Sequence, residues 1–204
     1  MKSNKTIIYF VLLVIAVPFT VFGISQWYES KFQRLPVFGP EKHLVGNFNF
    51  SDQSGQTINQ EYWKGKIVVA NYFFTSCPAV CPKVIYQLKR IQAYRPKNVL
   101  ISSFTVDPER DSVGRLKAYA AMHGIKLGWF LLTGDKIRLY RFARTDLMID
   151  ATDGDGGPSD FIHSDKLVLI DPRKHIRGYY TGTDETDINR LIRDIDKLNI
   201  EFKL

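Results

Sequence analysis

Cysteine is nearly absent, with two in 204 residues. No disulfide framework is available, and a chain of this length does not need one to bury a core. Basic runs are absent as well. The 28 Lys and Arg and 21 Asp and Glu are spread along the chain, so the net charge of +7 describes a slightly basic surface. That leaves no arm for nucleic acid, which is excluded as a partner. No internal repeat is visible. No glutamate closes the loop holding Asp150, Asp153 and Asp155, and Gly157 takes a ligand position, so an EF-hand calcium site fails. The composition, 45% hydrophobic and 24% charged, is that of a globular protein.

Charge is also missing from Thr6 to Tyr28. As a helix, Ile7–Ile24 spans about 27 Å, close to a hydrocarbon core of roughly 30 Å. Pro18 kinks such a helix without forbidding it. No A-x-A-like site follows, and no cysteine sits near its end, which argues against a cleaved signal and excludes a lipoprotein anchor. Lys2 and Lys5 stay cytoplasmic, so the rest is exported. We expect a single-pass anchor over residues 1–28 in the inner (cytoplasmic) membrane and a linker over 29–43 holding Pro36, Gly39 and Pro40. A domain over 44–204 follows on the periplasmic or extracytoplasmic side.

Asn47–Ile58 reads as a hairpin, and Lys66–Phe74 and Asn98–Asp107 as buried strands. Val84, Ile85, Leu88 and Ile91 give an amphipathic helix over Pro82–Tyr94. Val113, Leu116 and Ala120 mark a second helix, ending near Gly124. "WFLLTG" predicts a strand and turn, and Asp135–Phe142 a short helix. Asp153–Asp160 is too glycine-rich to be regular. Lys166–Asp171 and Ile176–Gly182 form a hairpin, and Asp184–Leu198 a final helix. The fold class is α/β, in a pattern that resembles a thioredoxin-like three-layer α/β/α domain. It has a mixed central sheet and an amino-terminal hairpin, preceded by one transmembrane helix.

The two cysteines stand in "TSCPAVCPK", at the carboxyl end of a central strand, where such sheets expose their sites. Pro82 at the first helical position makes Cys81 the N-cap and places Cys77 on the turn before it. Free N–H groups and the helix dipole then lower both thiol pKa values. A passive disulfide is a poor reading, because so short a loop removes little chain entropy. A redox dithiol and a metal site stay open. Thioredoxin-like enzymes use C-x-x-C, one residue tighter, and the wider spacing leaves room for an ion. Among the four histidines, His43 reads as solvated, His123 as a core or capping residue, and His175 as part of a hairpin turn. His163, between the Gly-rich loop and a strand, could reach the strand end. Two thiolates and an imidazole suit Cu(I); zinc would want a fourth ligand. Met122 and Met148 read as core.

With "FTSCPAVCPK" (Phe74–Lys83), "TVDPERDS" (Thr105–Ser112), "LTGD" (Leu132–Asp135) and "HSDKLVLIDP" (His163–Pro172) in this order, the chain resembles the Sco/SenC family. These are the copper chaperones and thiol–disulfide proteins of cytochrome c oxidase assembly. The resemblance covers about residues 44–198 and includes the anchor. It implies that Cys77, Cys81 and His163 bind one copper ion, as Cu(I) and in several members Cu(II). It also implies delivery to the dinuclear copper site of cytochrome c oxidase subunit II, with other copper chaperones or thiol reductants as further partners. Two positions depart from the family pattern: Ala79 and Ile162 stand where many relatives carry Asp, with Asp160 and Asp165 nearby. In "DPERD", Arg110 is expected to pair with a carboxylate, and Asp111 or Ser112 to cap a helix. Two functions follow. One is a copper chaperone without turnover of a small substrate, its uptake gated by the redox state of the pair. The other is a thiol–disulfide oxidoreductase that keeps partner cysteines reduced.

Overall fold

Apolar residues occupy every side of the first helix, α1 (Ser3–Phe32), whose stretch Ile7–Gln26 is long and apolar enough to cross a membrane. Pro18 lies inside it. The computed structural model describes residues 3–32, 34–41, 43–94, 98–149, 162 and 164–204. It divides into two units, Met1–Arg34 and Leu35–Leu204.

The second unit opens with an antiparallel hairpin, β1 (Asn49–Ser51) and β2 (Thr57–Asn59). Then come β3 (Ile67–Phe73), α2 (Val80–Tyr94), β4 (Val99–Thr105), α3 (Val113–His123) and β5 (Trp129–Leu132). The rest is α4 (Lys136–Arg141), a π-helical turn over Phe142–Asp146, β6 (Lys166–Ile170), β7 (Ile176–Thr181) and α5 (Glu185–Phe202). The five-stranded sheet runs β5-β4-β3-β6-β7, with β3, β4 and β5 parallel and β6 and β7 each antiparallel to its neighbour. Central β3 is buried at all seven positions, which is why its sequence runs apolar instead of alternating.

Successive right-handed crossovers in one direction put α2 and α3 on one face. There Ile67, Val69 and Phe73 pack with Leu88 of α2, Leu116 of α3 and Leu191 of α5. Val68, Ala70 and Tyr72 point to the other face and meet Phe50 and Ile58 of the hairpin, Trp63 and Leu139 of α4. The expected three layers and mixed sheet are therefore present. α5 extends to Phe202, past the expected end at Leu198. Ser112 caps α3, and Gly124 (φ 62°) ends it in the left-handed conformation that glycine takes without a Cβ clash. The loop expected over Asp153–Asp160, with its acids, lies outside the described residues.

Candidate metal centre

β3 ends at Phe73, and Phe74–Ala79 carries the chain to α2. The Cys77 N–H donates to the Phe74 carbonyl at 3.3 Å, closing a turn that leaves Cys77 half-buried. α2 begins at Val80, two residues before Pro82, so Cys81 is inside the first turn and does not cap the helix. A proline is tolerated there because no first-turn N–H has a partner in the helix. Cys77 takes over part of the capping: the Cys81 N–H donates to its Sγ at 3.3 Å. Cys81 lies on the buried stripe of Val84, Ile85 and Leu88 and is 7% exposed. Both residues are free thiols.

This asymmetry overturns the expectation that both sulfurs ionise. Burial raises the Cys77 pKa, but hydrogen bonds from the Cys81 thiol and the N–H groups of Cys81, Ala79 and Val80 outweigh it and hold the group below its ordinary value. Burial, then the hydrogen bond to Cys77, pushes Cys81 up to about 12. Cys77 is therefore the more acidic thiol of the pair, and Cys81 the one that keeps its proton.

A cleft of about 820 Å³ opens over the pair. Its walls include Tyr72 and Phe74 at the end of β3, Lys83 of α2, Ile162 and Ser164, and Asp165 and Lys166 leading into β6. His163 itself lies outside the described residues, and both its chain neighbours line the cleft. Among the described residues, no cluster of three His, Cys, Asp or Glu is arranged to hold a metal ion. The other histidines are engaged elsewhere. His43, expected in solvent, is half-buried with Nε2 2.9 Å from the Asp146 carbonyl. His123 packs against Tyr119 with ring centres 4.2 Å apart and planes tilted by 46°, and His175 Nδ1 lies 3.4 Å from Asp171. Met122, expected in the core, is 79% exposed. Of the departures from the family pattern, Ala79 is exposed and Ile162 is buried in the core. Asp165 Oδ2 accepts the Thr183 hydroxyl at 2.6 Å, and Asp160 lies outside the described residues.

Sequence reasoning missed the role of Asp111. Ser112 is the cap of α3, and Asp111 is fully buried. Its carboxylate accepts the Thr75 N–H at 3.1 Å, the Thr75 hydroxyl, and the Thr105 hydroxyl at 2.5 Å. Arg115 Nε donates to Thr75 Oγ1 at 2.6 Å. Arg110 pairs with Asp107 at 3.8 Å on the surface. The only sequence signal for Asp111 was its place in the quoted "DPERD" run.

Comparison with known proteins adds an independent line. The family model described as SCO1/SenC matches residues 39–199. The SCO1 protein homolog of Bacillus subtilis is 28% identical over 76% of this chain and 83% of its own. The structure of BsSco, described as a member of the Sco family of cytochrome c oxidase assembly proteins with a disulfide switch, is 27% identical. It matches with a TM-score of 0.65 over 81% of this chain and 98% of that one. Arabidopsis thaliana ScoI, solved with copper bound, matches with a TM-score of 0.61 at 22% identity, over 78% of this chain and 99% of that one. At that identity it bears on the fold alone.

Proposed function

Because this chain belongs to the SCO1/SenC family, with relatives named for cytochrome c oxidase assembly and for copper binding, we propose that it is a membrane-anchored copper chaperone. It delivers copper to the dinuclear copper site of cytochrome c oxidase subunit II. Cys77, Cys81 and His163 hold the cargo ion. One observation carries this reading: both sulfurs and both chain neighbours of His163 line a single cleft at the carboxyl end of β3. Two sulfurs and an imidazole are a soft set that suits Cu(I). The ion replaces the Cys81 proton, so uptake releases protons and weakens as pH falls. An oxidised pair offers no thiolate, so its redox state gates uptake. α1 anchors the domain on the extracytoplasmic side, raising its concentration near a membrane-bound recipient.

A ligand substitution tests the assignment. His163→Ala should weaken Cu(I) binding by more than about a hundredfold, beyond what supporting groups usually contribute, while the pair still oxidises. Competition against a Cu(I) chelator without oxygen measures it, and parental affinity would remove His163 from the site.

The opposite pKa shifts of the two cysteines favour a second reading. A more acidic, half-buried Cys77 beside a buried Cys81 that keeps its proton is the arrangement of an attacking and a resolving thiol, as in a reductase of partner disulfides. A His163→Ala protein that binds no copper yet restores oxidase assembly in cells would make this reading the primary one.

A further inference from the structure

The thiol loop has no regular structure of its own to hold it, since β3 ends at Phe73 and α2 starts at Val80. Its hold comes from the neighbouring strand. β3 and β4 run in parallel register, Phe73 opposite Thr105, and the Val106 N–H reaches the Phe73 carbonyl at 2.9 Å. Beyond β4 the chain folds back, with the Asp111 N–H donating to the Asp107 carbonyl at 2.8 Å. That fold brings a fully buried carboxylate against Thr75, within the turn that Cys77 closes. A carboxylate only accepts hydrogen bonds, and here it takes three, two from Thr75 and one from Thr105. Arg115 covers its outer side, with Nε 3.7 Å from Oδ1.

We propose that Asp111 is a positioning residue for the thiol pair: through Thr75 it locks the Phe74–Cys77 turn to the end of β4 and so sets the approach of Cys77 to Cys81. The inference rests on the reading of these cysteines as the working pair. Without the lock the turn is free to drift from the helix start. The effective concentration of one thiol at the other falls, and the disulfide becomes less stable.

The test uses the full chain in detergent, metal-free, equilibrated with reduced and oxidised dithiothreitol. The reagent takes or gives the two electrons and two protons as the S–S bond breaks or forms. Asp111→Asn and Thr75→Val should each lower the disulfide equilibrium constant about tenfold, the effect expected of a supporting group. Thr75→Ser, which keeps the hydroxyl, should match the parent. Ser103→Ala controls for general destabilisation, because it breaks buried hydrogen bonds to Trp129 and Asn71 away from the loop. Parental constants in Asp111→Asn and Thr75→Val, or an equal fall in Ser103→Ala, would overturn the proposal. If Asp111→Asn does not fold, Thr75→Val against Thr75→Ser decides alone. No copper enters the measurement, so a failed copper reading leaves this result intact, and Cu(I) competition on the same proteins tests that reading separately.

Discussion

Cys77 and Cys81 share one helix start and differ in what surrounds them. Backbone donors reach the first, and core side chains enclose the second. At neutral pH the thiolate is the reactive form, so iodoacetamide should modify Cys77 first and Cys81 only on unfolding. Peptide mass spectrometry would show the order, and equal rates would refute the split. The two groups also carry opposite linkage. Cys77 is depressed in the fold, so its stabilisation is present above the unfolded thiol value and lost as pH falls through the folded one. Cys81 is raised, so its contribution is full below the ordinary value of 9.0 and is lost as pH climbs toward about 12. Stability of the parent should therefore fall more steeply with pH over that range than stability of Cys81→Ser, as read by urea unfolding. The spacing of the pair was legible in the sequence, and so was its place at a strand end. Its asymmetry was legible only in part, since Cys81 continues the Val84, Ile85, Leu88 stripe. Asp111 was not legible, because its partners lie on a neighbouring strand and a distant loop and no periodicity reports such a contact.

Elements were the most readable scale, because burial on one face leaves a period in the sequence. The stripes of α2 and α5 fall where that period placed them, β3 and β4 fall where unbroken apolar runs placed them, and errors gather at ends such as the start of α2. Close backbone approaches leave no such trace. Gly182 follows β7, and its N–H donates to the Asp165 carbonyl at 2.8 Å. A Cβ there would lie 2.6 Å from that same oxygen and press on Val84 of α2. Backbone cannot yield as a flexible side chain does. Gly182→Ala should therefore cost about 1–3 kcal/mol, the usual range for overpacking. It should also displace the strand entry that follows His163. The urea midpoint should drop with an unchanged slope, and Cu(I) affinity should fall with it. A midpoint equal to the parent's would mean that the turn relaxes freely.

For the whole molecule, the question is where the domain begins. Pro36, Gly39 and Pro40 carry no alternation, so nothing in the sequence announces that this stretch pairs with anything. In the structure it is fastened along β7. The Phe38 N–H donates to the Ile176 carbonyl at 2.9 Å, and the Phe38 ring meets Tyr179 edge-on. Arg177, only 4% exposed, donates to the carbonyls of Leu35 and Pro36 while pairing with Asp171 and Glu201. Charged hydrogen bonds of this kind are worth about 1.5–3 kcal/mol each, and a bare strand edge invites pairing with another chain. A chain beginning at Leu35 should therefore fold as the parent domain does and take up Cu(I) in solution. One beginning at Leu44 should unfold at clearly lower urea and aggregate at high concentration. Light scattering and urea melts of the two, compared directly, test this. Identical curves would mean that the arm adds nothing and that Arg177 is satisfied by its carboxylates alone. A difference would make the arm from Leu35 onward a structural part of the domain and not a linker to it.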